Sequence, residues 1–275
     1  MKKLIIICSV TLFLFSCTKD DMVRPQVGSA GTRPVFVTPV TPGGPIFTGD
    51  IINYYDSIGF LHNELMERFY NSMQTMDFCD KPSFAYAADT CIRAFFVKHG
   101  YEFQNPIAYF QEKLENNDMM YSDDLSPAAN SLLANLDLFI TESSASGLGN
   151  FQAQCDDLKE QATTSLNDST EVVIILAAIG TAKHSASYWY GHAQSWNEYL
   201  TAAPCWMGDP LVQTHFNANA VIRHDATGAL AGAIDGANGG PAGAFVGGLI
   251  GGGTKSVILG FSEGMRIERF SEWLN

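Results

Sequence analysis

Histidine, cysteine and acidic side chains are the groups in this 275-residue chain that could carry chemistry, and their spacing points away from catalysis. His184 and His192 stand eight apart, near one face of a helix, with Glu198 further along. No H-x-x-x-H or H-E-x-x-H pattern accompanies them, so helix-surface or core histidines are expected rather than a metal site. His62-Asn63 reads as a buried polar pair to which nothing nearby in sequence adds a nucleophile or a third member. Asp123-Asp124 and Asp156-Asp157 are acidic pairs expected to face solvent. Tyr188, Trp189, Tyr190 and Trp196 have the spacing of a packed seam rather than of a sugar-binding surface. G-x-S-x-G, P-loop and dinucleotide fingerprints do not occur, so neither an enzyme nor a cofactor is expected. Cys79, Cys91, Cys155 and Cys205 could form up to two disulfides in an oxidising compartment, with three connectivities open and Cys79 and Cys91 nearest in sequence. None of the four falls in a C-x-x-C pair, which disfavours zinc.

Glycine offers a different chemistry, that of a bare backbone. Gly228, Gly232, Gly236 and Gly240 fall four apart, and a second ladder follows in another frame: Gly239, Gly243, Gly247 and Gly251. Residues four apart share one face of a helix, so each ladder presents a strip without side chains. Each glycine costs about 1 kcal/mol against alanine inside a helix, so eight cost roughly 6–8 kcal/mol that close packing has to offset. Asn238-Gly239-Gly240-Pro241 interrupts the repeat, and proline at a first helical position predicts a helical hairpin. Arms of about 11 to 13 residues are expected, each under about 20 Å and shorter than a hydrocarbon core of about 30 Å. Asp235 and Asn238 sit near the turn, where an acid in lipid is costly.

The segment Gly228-Ala229, Gly232-Ala233, Gly236-Ala237 and Gly239-Gly240-Pro241-Ala242-Gly243-Ala244 resembles bacterial glycine-zipper segments and the class II bacteriocins, over about 30 of the 275 residues. The resemblance implies close helix association in a target-cell membrane, where small-residue strips decide pairing, or self-association through the zipper. This segment is acidic and part of a large chain, whereas those peptides are small and cationic. Arg223 lies just before the ladder, and a trypsin-like or clostripain-like cut there would release His224 to Asn275. The expected function is a bacteriocin-like, membrane-perturbing toxin. The alternative is a structural or oligomerising envelope lipoprotein with the zipper packed internally.

The first residues explain why an envelope is in question. Lys2 and Lys3 precede the apolar run Leu4 to Phe15, which has the form of a secretory signal over residues 1–16. Leu14-Phe15-Ser16-Cys17 resembles the bacterial lipobox, which implies cleavage before Cys17 and acylation of its sulfur. Lys19, Asp20 and Asp21 resemble the signal that sends Bacteroidetes-type lipoproteins to the outer face of the outer membrane. Lipid chains contribute roughly 0.8 kcal/mol per buried methylene, enough for stable anchoring when several are present. Without Lys2 and Lys3 the formal charge of −13 becomes −15, which repels nucleic-acid phosphates and excludes nucleic acid as a partner.

The elements that must position these groups read as helices. Residues 17–49 are rich in proline (Pro25, Pro34, Pro39, Pro42, Pro45) and predict a disordered, lipid-anchored tether reaching of the order of 90 Å. Residues 50–210 predict a core of about six helices. Ile51, Tyr55, Ile58, Leu65, Phe69 and Met76 mark one face of a helix capped by Asp50. A second helix runs from Ser83 to His99, stopped by Gly100, and Asn105-Pro106 and Ser126-Pro127 have the form of helix starts. Leu132, Leu133, Leu136, Phe139 and Ile140 form one apolar stripe; Phe151, Cys155, Leu158, Ala162 and Leu166 form another. Asp168 with Glu171 suggests a capping box opening a long central helix. Its seam is Val172, Ile175, Ile179, Ala182, Ala186, Trp189, Ala193, Trp196 and Leu200. Residues 211–275 hold the hairpin and a short terminal helix, Ser262 to Leu274. The predicted fold class is therefore an all-α bundle with a C-terminal glycine-zipper hairpin.

Overall fold

The structure, a computed structural model, describes residues 51–75, 81–101, 120–202 and 217–265. They are helical with no strand among them, the all-α bundle that the periodicity predicts. In chain order the helices are α1 (Ile51–Met73), α2 (Lys81–Lys98), α3 (Pro127–Ser146), α4 (Leu148–Ser165), α5 (Ser169–Ala202), α6 (Ala218–Gly236) and α7 (Gly240–Met265). A 3-10 turn, Ala237–Gly239, joins the last two.

Local signals account for the boundaries. The chain leaves α2 through Gly100, whose φ of 83° is left-handed and costs glycine little. Ahead of α3, Ser126 Oγ accepts the Ala129 N–H at 3.2 Å, and Pro127 fills the first position, where no N–H is needed. Asp168 Oδ1 accepts the N–H groups of Thr170 and Glu171 at 2.7 and 3.1 Å, capping α5. The expected return bond of a capping box goes elsewhere. Glu171 accepts the backbone N–H and the hydroxyl of Ser126, at 2.6 and 3.0 Å, and so ties the start of α5 to the start of α3. Asp50 and the Asn105-Pro106 start lie outside the described residues.

Burial follows the predicted stripes and exceeds one of them. Tyr55, Ile58, Leu65 and Phe69 of α1 are buried, as are Leu132, Leu133, Leu136 and Ile140 of α3 and the whole α4 stripe. On α5 the narrow seam becomes an enclosed rod, because every residue from 172 to 182 is buried. A helix apolar all round belongs at the centre of a fold. The stretch from 247 to 257 of α7 is enclosed in the same way. These two stretches meet: a Cβ on Gly248 would lie 2.9 Å from Ala177 Cβ, and one on Gly252 would lie 3.2 Å from Thr181 Cγ2. Helices α1, α4 and α6 pack on α5; α1 and α6 also pack on α7; α3 packs on α4 and α6.

Two expectations about the hairpin are corrected. Its arms hold 19 and 26 residues rather than 11 to 13, about 28 and 39 Å long at 1.5 Å per residue. Helix α6 starts at Ala218, capped by Asn217, whose side chain accepts the Ala220 N–H, and so takes in Arg223. Helix α7 runs unbroken through Gly251-Gly252-Gly253 and into the segment predicted as a separate terminal helix. Contacts on several faces at once offset the poor helix propensity of these glycines. The described helices also share one hydrophobic core: Val221, Ile222, Leu230, Phe245 and Leu249 of the hairpin join Tyr55, Phe69 and Ile175 in it.

Candidate functional site

Six of the ladder glycines form rungs between the arms. A Cβ on Gly232 would overlap the carbonyl oxygen of Gly247, and one on Gly247 would overlap that of Gly232. The same reciprocal exclusion holds for Gly236 with Gly243 and for Gly228 with Gly251. Each glycine therefore aims an Hα at the facing carbonyl, the geometry of Cα–H···O contacts, worth about 0.5–1 kcal/mol each. Gly228 is further closed by Lys255, whose Cβ would lie 2.7 Å from an added methyl group. Gly239 and Gly240, assigned to the ladders by spacing, stand clear of any such contact and form the turn, with Gly240 at φ 67°.

The helix partner of the ladder is thus the other arm of the same chain. Three glycines outside the predicted ladders complete the arrangement. Gly248, Gly252 and Gly253 turn the outer face of α7 toward α5 and α1, and a Cβ on Gly253 would sit 2.6 Å from Leu65 Cδ2. No helix among the described residues is long and apolar enough to cross a membrane. Helix α7 has the length, yet its seven glycines from 240 to 257 and the run Thr254-Lys255-Ser256 dilute its apolar character.

A polar cluster lies beneath the zipper, at the junction of α1, α5, α6 and α7. His62 and Asp225 are 1 % and 0 % exposed, and Ser185 and Ser256 are as deeply buried. Asp225 Oδ2 accepts from Ser185 Oγ at 2.6 Å and from Trp189 Nε1 at 3.0 Å, and lies 3.4 Å from His62 Nε2. His62 Nε2 also meets Ser256 Oγ at 2.5 Å, while Nδ1 meets Asn63 Oδ1 at 2.9 Å. Serine, histidine and aspartate here do not make a relay. A relay uses the two ring nitrogens for nucleophile and carboxylate separately, whereas Ser256 and Asp225 share Nε2, and the group is sealed from substrate. The pair His62-Asn63 was legible in sequence; its third and fourth members were not, because Ser256 lies 194 residues away along the chain.

The remaining candidate groups are dispersed. His184 Nε2 meets Asp56 at 3.2 Å and His192 Nδ1 meets the Tyr188 carbonyl at 2.9 Å, each on its own partner. Burial pulls the His184 imidazole below its ordinary 6.5 despite the opposing pull of Asp56. Asp156 does not simply face solvent: it accepts from Tyr55 Oη at 3.2 Å and from Lys183 Nζ at 2.6 Å. Trp189 and Trp196 pack with ring centroids 5.4 Å apart and form with buried Tyr188 the expected core seam, whereas Tyr190, expected in it, is exposed.

Among the described residues the expected disulfide bonding is corrected. Cys91 and Cys155 are free and buried on separate helices; Cys91 Sγ accepts from Ser72 Oγ at 3.9 Å and Cys155 sits beside Asp156. Burial raises both thiols, which disfavours the reactive thiolate. The pairing of Cys79 with Cys91 is therefore not formed, since Cys91 is free. Arg223 lies within α6, its guanidinium on Asp137 at 2.8 and 3.0 Å. Cys17, Lys19, Asp20, Asp21, Cys79 and Cys205 fall outside the described residues. Comparisons with protein-family models, with curated proteins and with solved structures find no match.

Proposed function

We propose that this chain is an outer-membrane surface lipoprotein, anchored through Cys17, whose glycine zipper is an internal clamp rather than a membrane-inserting device. What supports the reading is the reciprocal exclusion at the three rungs: each strip of bare backbone is already filled by the other arm. A strip so occupied has no face left for lipid or for a second copy. The bacteriocin-like alternative requires the arms to leave α1 and α5 and to expose Asp225 and Lys255, charged residues placed at the core of the fold. Release by a cut at Arg223 requires α6 to unwind first, because a protease needs an extended segment and Arg223 is helical and paired with Asp137. The role is that of a helical module presented at the cell surface on a long tether, with a net negative charge unsuited to nucleic acid.

The test uses the chain without its lipid, by replacing Cys17 with serine. A detergent-free monomer in sedimentation, inert toward dye-loaded vesicles, is expected. A producer strain lacking residues 224–275 should compete against related strains as well as its parent. Vesicle leakage, growth inhibition that depends on residues 224–275, or a secreted fragment starting at His224 would replace the clamp with the toxin.

A further inference from the structure

From the hydrogen-bond pattern around one ring we infer that His62 carries both ring protons in the folded chain, forming a sealed imidazolium–carboxylate catch with Asp225 that fastens the hairpin to α1. Asn63 fixes the role of the first ring nitrogen. Its Nδ2 donates to the His184 carbonyl at 2.9 Å, and a carbonyl can only accept, so the orientation of the amide is fixed. Asn63 Oδ1 then faces His62 Nδ1 at 2.9 Å and must accept from it. The other nitrogen faces Asp225 Oδ2, which already accepts from Ser185 and Trp189 and offers no proton in return. An acceptor on Nδ1 and a buried carboxylate 3.4 Å from Nε2 together favour a ring with two N–H donors, with the Ser256 hydroxyl, 2.5 Å from Nε2, taking the second hydrogen bond. Asp225 is wholly buried, and a carboxylate in that position needs a counter-charge.

The charged groups of every neighbouring helix bear on the pair. Helix α7 brings Ser256 onto Nε2, and Lys255, whose Nζ donates to Thr227 Oγ1 at 2.7 Å on α6. Helix α5 brings His184, which meets Asp56 of α1, and Lys183, which donates to Asp156 of α4 and lies 3.9 Å from Asp56. The competing arrangement keeps a single proton, on Nδ1, and turns the Ser256 hydroxyl toward Nε2; the Nε2 lone pair would then face the Asp225 carboxylate. The catch joins elements that the zipper alone does not: the rungs hold α6 to α7, and His62 holds both to α1.

Nitrogen-15 NMR of histidine-labelled full-length chain at neutral pH reads the ring directly. Two slowly exchanging N–H signals from His62 are expected. In Asp225→Asn the Nε2 proton should be lost while the Nδ1 proton stays, a change that a purely packing role for Asp225 would not produce. The folding equilibrium constant should drop about a hundredfold or more in either Asp225→Asn or His62→Gln, and the double variant should lose little beyond the worse single one. If neither variant folds, the wild-type spectrum alone decides. A single N–H on Nδ1 in the wild-type ring overturns the catch, as do additive losses in the two variants.

Discussion

Two interfaces in this molecule solve the same packing task with opposite means. Where α1 meets the later turns of α5, Phe69 and Tyr70 lie against Trp196, with ring centroids 6.3 and 5.1 Å apart, and Trp189 packs on Trp196. Where α6 meets α7, six glycines put backbone on backbone. At the first interface the gain is apolar area withdrawn from water, which grows with side-chain size. At the second the gain is dispersion at close range and Cα–H···O contact, which side chains would abolish. The two should therefore respond to mutation with opposite sign: the aromatic interface suffers from deletion and the glycine interface from addition.

The sharpest way to break this comparison is Gly232→Leu. Its Cβ alone overlaps the Gly247 carbonyl, and the arms cannot part without disturbing α1 and α5. A loss of about 5 kcal/mol, or no folded protein at all, is expected in urea denaturation; a loss below about 1 kcal/mol would mean that the rungs are not a close contact. Phe69→Ala follows, with a cost of about 3–4 kcal/mol from lost burial and the cavity left behind. Gly191→Ala is the control that sharpens the contrast. Gly191 is exposed on α5 with nothing near an added Cβ, so the same class of change should stabilise, by about 0.5–1 kcal/mol. Destabilisation there would show that glycine substitutions report something other than rung geometry.

The smallest effect is one of pH. Burial lowers the folded-state affinity of His184 for its proton, so the unfolded chain binds more protons as the pH falls through about 6.5. Stability should then be full above that value and decline below it. His184→Gln should flatten this acid-side decline in thermal melts recorded across the range, and an unchanged slope would assign the decline to other groups.

Sequence carried the fold further than the site. Ser126-Pro127, Gly100 and Asp168 announced element boundaries because their chemistry acts within four residues of the chain. The glycine ladders announced a helix–helix contact because a period of four is itself a statement about one face. Which partner filled that face was not legible, since lipid, a second copy and the other arm all accept the same strip. The hairpin arms were drawn too short for a related reason: propensity counts against glycine runs such as Gly251-Gly252-Gly253, and only tertiary packing on α5 and α1 rescues them. Glu171 illustrates a local rule redirected, its carboxylate spent on Ser126 of another helix. The polar cluster escaped altogether, because four helices contribute to it and no short-range pattern links His62 to Asp225 and Ser256.

The three-residue turn Ala237–Gly239 has a consequence for how the protein is made. Closing so short a connection costs little entropy, so the two arms can zip as soon as both have emerged. They emerge last among the described elements, after α1 and α5 have been synthesised. Until then the early helices have no filler for the groove they share, and their apolar surface stays exposed to aggregation. Assembly is thus gated by the synthesis of α7, and truncation anywhere within it should leave an aggregation-prone shell rather than a smaller folded domain.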